Sequence, residues 1–249
     1  MFRIDREGFE HQGFFRIPGF ADAGTCARML ERVVQIARER AAGTHGSEIV
    51  LPEANLAGRA AQPEELVSKV FKLHRDPVFG EFARSSAVTD LVAELVGPAL
   101  DCFLSQFIFK NPGAWGQPWH QDSYYFPFDP PHPILGVWLA VTEATLENGC
   151  LHVVPGSHRE PVHEHVPDRR DGANYGYVEI VDHDMSASVP VLMQPGDLLL
   201  FDSHLMHRST DNVSDGIRAA MVYHYATTGT VERTPGLVTD FVTVRPLAS

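Results

Sequence analysis

Cysteine is scarce. The chain has three, Cys26, Cys102 and Cys150, too few and too scattered for a disulfide framework or a thiolate zinc cluster. No apolar run approaches the roughly 18 residues of a membrane helix. The opening Met1-Phe-Arg-Ile-Asp-Arg-Glu lacks the apolar stretch of a signal peptide. The expectation is a cytoplasmic protein without a membrane partner. Basic residues are outnumbered, 20 Lys and Arg against 32 Asp and Glu, for a formal charge of -12. Such a surface repels nucleic acid and anionic lipid, and no basic run offsets it. Also missing are a glycine-rich phosphate loop and a Gly-x-Ser-x-Gly hydrolase elbow. There is no internal repeat or low-complexity tract. Histidine is plentiful, with 13 residues. With so few thiols, this composition suits a histidine/carboxylate metal site. At 249 residues and 44% hydrophobic content, the chain can bury a sizeable core.

The first third reads as helical and the rest as strands. Gly13 to Pro18 is a short strand-like piece. Asp22 can cap a helix running to about Arg40, with Cys26, Met29, Leu30 and Val33 at helical spacing. Ala41 to Ala61 reads as a loop. Pro63-Glu-Glu opens a predicted second helix with Leu66, Val67, Val70 and Phe71 on one face. A third is predicted from about Pro77 to Val96, stopped by Gly97-Pro98. Then the period changes. Cys102–Lys110, Leu135–Val141, Cys150–Val154, Tyr177–Val181, Val189–Met193, Leu198–Phe201 and Ile217–Tyr225 are short and rich in β-branched and aromatic residues. Turn signals separate them, including Asn111-Pro-Gly, Pro130-Pro-His-Pro133 and Asn148-Gly149. Strands without intervening helices predict an antiparallel sandwich or jelly roll. No linker sets the helices apart, so a single domain, 1–249, is expected: a helical part at about 20–97 on a β core at about 101–226.

The sharpest local feature is Trp119-His120-Gln121-Asp122. In an extended chain residues i and i+2 share a face, so His120 and Asp122 can aim an imidazole and a carboxylate at one point. One more histidine completes the facial set that holds Fe(II) and leaves positions open. The segment Gly196 to Ser209 offers His204 and His207. Arg218 enters the last predicted strand eleven residues after His207. On a strand pairing with the one that bears His207, it can clamp a dicarboxylate. An arginine among Ile, Ala, Met and Val is costly unless paired, and an outward-facing arginine is its ordinary use.

With His120-x-Asp122, His207 and Arg218 in this order, the chain resembles the phytanoyl-CoA dioxygenase family of Fe(II)/2-oxoglutarate oxygenases. The resemblance covers most of the chain. It runs through Glu10-His-Gln-Gly-Phe-Phe-Arg-Ile-Pro-Gly-Phe20, Trp119-His-Gln-Asp-Ser-Tyr-Tyr-Phe126, Asn148-Gly-Cys-Leu-His-Val-Val-Pro-Gly-Ser-His158 and His207-Arg-Ser-Thr-Asp-Asn-Val-Ser-Asp-Gly-Ile-Arg218. Leu135–Val141 and Ala144–Cys150 look most like the phytanoyl-CoA dioxygenase domain-containing subgroup. The resemblance implies a mainly β fold with flanking α-helices, a double-stranded β-helix (jelly roll, cupin-like). It implies Fe(II) on His120, Asp122 and His207. It implies 2-oxoglutarate held at its far carboxylate by Arg218 and Ser209, with O2 as co-reactant. Trp138 and Gln106 match positions that contact the cosubstrate in relatives, although many relatives carry methionine in place of Gln106. Lys69 on the second helix matches a further contact, with Lys72 as the alternative. The implied activity is hydroxylation of a small molecule with release of succinate and CO2. A carboxylate at Asp122 speaks against halogenation, because halogenating relatives carry a small residue there.

Other readings use the same residues. A cofactor-independent metalloenzyme on this barrel has no need of Arg218, and a non-catalytic binding module has no need of a complete ligand set. His204 is expected to be structural, since only His207 gives the gap to Arg218. His224 faces inward either as pocket wall or as core. His152 and His158 read as a turn over the site mouth, with His158 near substrate. His163 and His165, with Asp168, have the residue types of a metal cluster but read as a solvated, charged loop. At least one of Tyr124, Tyr125 and Phe126 is expected to line the pocket. The loops expected to select substrate, Ala41–Ala61, Ser123–Pro133 and His158–Tyr177, are not notably basic, which disfavours a CoA thioester. The sequence is silent on oligomeric state.

Overall fold

The computed structural model describes residues 2–59, 61–129, 134–232 and 236–247. The chain opens with α1 (Arg6–Gln12), β1 (Phe14–Ile17) and α2 (Ala23–Ala41). Asp22 caps α2 by accepting from the Thr25 N–H at 2.6 Å, and Cys26, Met29, Val33, Ile36 and Ala37 form its buried stripe. Next come β2 (Ile49–Pro52), β3 (Val67–Phe71), α3 (Pro77–Arg84), α4 (Ser86–Val96) and β4 (Leu100–Lys110). The remainder is β: β5 (Phe128–Asp129), β6 (Leu135–Ala140), β7 (Leu151–Val153), β8 (His165–Pro167), β9 (Val178–Ile180), β10 (Val189–Val191), β11 (Leu198–Asp202), β12 (His207–Ser209), β13 (Arg218–Thr227), β14 (Val231–Glu232) and β15 (Val242–Arg245).

The strands form an eight-stranded sheet, β1-β11-β6-β13-β4-β3-β2 with β15 also on β4, and a three-stranded sheet, β10-β7-β12. Two ribbons, β14-β5 and β8-β9, complete the set. All pairings are antiparallel. This is the expected jelly roll, mainly β with flanking helices. Alternation along β13 shows how the layers are built. Ala219, Met221, Tyr223 and Tyr225 join the core shared with the helices, whereas Ala220 and Val222 join the core between the sheets. The outward tyrosines tie the helices on: Tyr223 Oη donates to the Phe79 carbonyl at 2.9 Å and Tyr225 Oη to that of Ala83 at 3.0 Å. The inward face, from Arg218 to His224, is left for the site.

Three helix-region expectations need correction. Pro63 opens only a single 3-10 turn, to Leu66, and Val67–Phe71 is a strand. All five of its residues are buried, and β4 and β2 offer pairing edges on either side. Such pairing outweighs a helical face for a Val- and Phe-bearing segment. The Ala41–Ala61 loop contains β2. The third helix is two, because Ser85 leaves the helical region at φ -60, ψ 141 and caps α4 by accepting from the Val88 N–H. The predicted turn Pro130–Pro133 lies outside the described residues. Among the described residues no helix is long and apolar enough to cross a membrane.

Candidate active site

His120 and His207 face one another across an isolated antiparallel bridge. Each backbone N–H donates to the other's carbonyl, at 2.9 and 3.0 Å, and the ring centroids lie 4.1 Å apart. Each Nδ1–H donates to the carbonyl two residues earlier, of Pro118 at 2.8 Å and of Leu205 at 2.9 Å. A carbonyl can only accept, so this bond fixes the tautomer and leaves the Nε2 lone pair toward the cavity. Gln121 is extended at φ -117, ψ 130, so Asp122 returns to the face of His120. Asp122 Oδ1 lies 3.5 Å from His120 Nε2 and 3.8 Å from His207 Nε2. Its other oxygen, Oδ2, accepts from His224 Nε2 at 2.7 Å. One carboxylate oxygen is thus free for a cation while the other is held.

Electrostatics agrees with this division. Burial pushes the Asp122 carboxyl up, but His224, His207 and His120 together hold it well below the usual range. His207 moves the other way, down to about 4, through burial and the neighbouring His120. With an Nε2 lone pair on each histidine, left by the Nδ1–H bonds, and the ionised Asp122, the three groups present the donor set of an octahedral Fe(II) site with three positions open. Their ligand atoms lie within 4.8 Å of one another, and all three residues are buried.

These residues line a cavity of about 280 Å³ together with Arg218, Ser209, Trp138, Gln106 and Lys69. Arg218 is 1% exposed. Its Nε and Nη2 donate to the Gly149 carbonyl at 3.2 and 3.0 Å, and its guanidinium lies 5.7 Å from the centre of the Trp138 ring. Burial lowers its pKa to about 10, so it stays charged. Among the described residues its Nη1 is buried with no partner, as are Gln106 Oε1 and Trp138 Nε1. Orphaned buried groups of this kind are costly. A buried cation with a spare N–H fits an anionic ligand in the cavity.

A family model described as phytanoyl-CoA dioxygenase (PhyH) matches residues 9–220. The chain belongs to the phytanoyl-CoA dioxygenase family. A probable phytanoyl-CoA dioxygenase of Caenorhabditis elegans is 29% identical over 230 residues, covering 89% of this chain and 74% of that protein. Phytanoyl-CoA dioxygenase domain-containing protein 1 of Rattus norvegicus is 28% identical over 255 residues, covering 87% of both. The apo form of the non-heme monooxygenase ThoJ aligns with a TM-score of 0.73 at 24% identity, over 97% of this chain and 84% of that one. EctD from S. alaskensis, solved with 2-oxoglutarate and 5-hydroxyectoine, aligns with a TM-score of 0.69 at 20% identity, over 94% and 79%. These structural likenesses show the fold. Family membership makes the chain a 2-oxoglutarate-dependent dioxygenase using Fe(II), 2-oxoglutarate and O2.

The fold places the dioxygenase's other candidate residues unevenly. Arg218 does not sit on a strand paired with that of His207: β12 pairs with β7 in the small sheet, and β13 pairs with β4 and β6 in the large one. Arg218 and His207 therefore belong to facing sheets and reach the cavity from opposite walls. Lys69 lies on β3, not on a helix. Its Nζ donates to Gln117 Oε1 at 2.9 Å and lies 4.8 Å from the Tyr177 ring centre, whereas Lys72 falls in a left-handed turn at φ 63 and does not line the cavity. Tyr125 and Phe126 line it, and Tyr124 stacks on His165 instead. His204 is outside it. His158 bonds the Glu10 carbonyl at 3.1 Å, on the N-terminal helix rather than the site mouth. His165 is buried, not solvated, and its Nε2 accepts from the Gln121 N–H at 3.0 Å. Asp168 pairs with Arg170.

Two residues were not anticipated. Gln117 Nε2 donates to His120 Nε2 at 3.0 Å, so its carboxamide covers the very nitrogen that a metal needs. Lys110 is buried, donates to the Trp115 and Thr210 carbonyls at 3.0 and 2.9 Å, and is held well below the usual lysine range by burial and by Arg218. Lys110 was findable by alternation, four residues beyond Gln106 on one strand. Nothing local marks Gln117.

Proposed function

We propose that this dioxygenase hydroxylates a small, largely apolar molecule, with Fe(II) on His120, Asp122 and His207 and the far carboxylate of 2-oxoglutarate on Arg218 and Ser209. The observation that carries the reading is the unpartnered Nη1 of a buried, charged arginine in the same cavity as the histidine/carboxylate cluster. When bound, iron and 2-oxoglutarate supply the oxidant, as the keto acid loses CO2 and becomes succinate.

The chain's own residues orient and shield. His224 holds Asp122 Oδ2, so Oδ1 keeps its aim. The Pro118 and Leu205 carbonyls hold the two rings. Gln106, Trp138 and Lys69 supply polar contacts along the cosubstrate, and Gln117 must swing off His120 when metal enters. Tyr125 remains a phenol, because burial and Asp122 both push its ionisation up. It donates to the Gly176 carbonyl at 3.1 Å, which draws the loop before β9 over the site. The far end of the cavity carries Ile49, Leu51, Phe71, Leu104, Phe126 and Val238. That lining supports an apolar substrate. The whole chain, 1–249, acts as one oxygenase domain in the cytoplasm, apart from membranes and nucleic acid.

The test incubates the Fe(II) protein with 2-oxoglutarate, O2 and a panel of apolar candidates. One equivalent of succinate per product heavier by one oxygen atom is expected. Succinate release that no candidate stimulates, in a protein that binds 2-oxoglutarate, rejects the apolar substrate class. Failure of the Mn(II) form to bind 2-oxoglutarate rejects the site assignment itself.

A further inference from the structure

A second cluster of metal-ligating side chains lies outside the cavity. Glu160, His163 and His183 bring their ligand atoms within 4.8 Å of one another. His163 Nε2 and His183 Nε2 each lie 3.0 Å from the same oxygen, Glu160 Oε2. The two rings meet edge to face with centroids 5.0 Å apart, so both aim the same nitrogen at one spot from segments twenty residues apart in the chain. We infer that Glu160, His163 and His183 form a second divalent metal site, of the kind that takes Zn2+ with water as a fourth ligand.

Four features support it. The donor set of two imidazoles and a carboxylate is a common zinc set, with ligands at about 2.0–2.2 Å. The backbone that carries it is already held. Gln121 Oε1 accepts from the His163 N–H at 2.8 Å, and Gln121 Nε2 donates to the Pro161 carbonyl at 3.1 Å. On the other side Asp184 accepts from the Ser186 N–H and hydroxyl, at 2.9 and 3.0 Å, fixing the bend beside His183. Glu164, Asp182 and Asp184 flank the ligands and add negative potential. The nearby cation Arg159 is turned away, donating to the His11 carbonyl at 2.8 Å. The site is partly open, with side-chain exposures of 40% for Glu160, 25% for His163 and 19% for His183, so a hydrated ion can enter and keep a water.

A metal here joins the two ends of the segment that contains the β8-β9 ribbon. That ribbon and its connection carry Tyr177 and Gly176 over the cavity. Through Gln121, which stands between His120 and Asp122, the second site is also wired to the first.

Both sites have the same donor types, so Zn2+ fills both and variants must separate them. The full-length protein is stripped with a chelator and titrated with Zn2+, and bound metal is counted after dialysis. The parent is expected to hold two equivalents. Asp122→Ala and His183→Gln should each hold one, and the double variant none. Glu160→Gln serves as a second probe in case one substitution perturbs folding, which circular dichroism checks; it should also hold one. A parent that binds a single equivalent, lost entirely in Asp122→Ala, overturns the inference and leaves the cluster as a hydrogen-bonded pair of histidines on a glutamate. A second equivalent that survives in both His183→Gln and Glu160→Gln overturns it as well.

Discussion

At the scale of single residues, the site divides into groups that would grip the metal and groups that would grip the cosubstrate. Alanine at His120, Asp122 or His207 should remove most of this site's metal affinity, because among the described residues it offers only three protein ligands. His204→Ala should bind metal like the parent, since it lies outside the cavity; the reverse pattern in a Mn(II) titration would reassign the third ligand. Arg218→Ala should leave metal binding nearly intact. Breaking a buried charge pair from one side costs about 3–5 kcal/mol, roughly a hundred- to several-thousand-fold in the dissociation constant for 2-oxoglutarate. Arg218→Lys should recover only part of this, as a lysine lacks the planar fork. An anaerobic 2-oxoglutarate titration of the Mn(II) form reads both. The pair His120-x-Asp122 was legible because i and i+2 share a face wherever the chain is extended. The partners that tune it were less so: His224 reaches Asp122 only because β13 crosses behind the turn, and Gln117 reaches His120 through a loop path that no spacing encodes.

Among the elements, strands with near-continuous apolar runs are legible and context-dependent ones are not. β4, β6, β11 and β13 carry near-continuous apolar runs, the mark of strands buried on both faces. The β3 segment reads as helical in sequence because Leu66, Val67, Val70 and Phe71 also satisfy a helical stripe. Only the waiting edges of β4 and β2 decide the matter. The placement of Arg218 and Ser209 on facing sheets is likewise hidden, since sequence order suggests adjacent strands. The turn before β7 shows how an element sets a side chain. Gly149 adopts φ +84, and a Cβ there would stand 2.4 Å from the Thr210 carbonyl oxygen. Its own carbonyl holds two nitrogens of Arg218. Gly149→Ala should therefore lower stability by at least about 1–2 kcal/mol, the left-handed penalty alone. It should also weaken 2-oxoglutarate binding while sparing metal. Denaturant midpoints and the same Mn(II) titration check this, and unchanged 2-oxoglutarate affinity would separate the turn from the arginine.

For the whole molecule, buried histidines couple stability to pH. His207 is depressed from 6.5 to about 4 in the fold. Above pH 6.5 neither state takes up its proton. As pH falls from 6.5 to 4 the unfolded chain binds it and the folded one does not, so metal-free stability drops by about 3 kcal/mol on this account. Below 4 this contribution is spent, and loss continues through Asp122, whose pKa is held down. In His207→Gln the upper limb should flatten, which denaturant midpoints across pH 4 to 7 will show; an unchanged slope would place the titration elsewhere. Typical domains have only about 5–15 kcal/mol to lose. A last consequence concerns length. Arg218 and His224 stand on one strand, six residues apart, and a strand rises about 3.3 Å per residue. Arg218 leans over Trp138, and His224 holds Asp122. The separation of the guanidinium from the His224–Asp122 pair is thus set by a doubly paired backbone, so β13 would fix how far apart the two ends of a ligand bridging them can lie. If Arg218 takes the far carboxylate, four-carbon and six-carbon oxo diacids should both bind the Mn(II) form more weakly than 2-oxoglutarate, which competition titrations would read. Selection of the co-reactant by carbon count would then belong to the spacing held by the sheet as much as to the guanidinium itself.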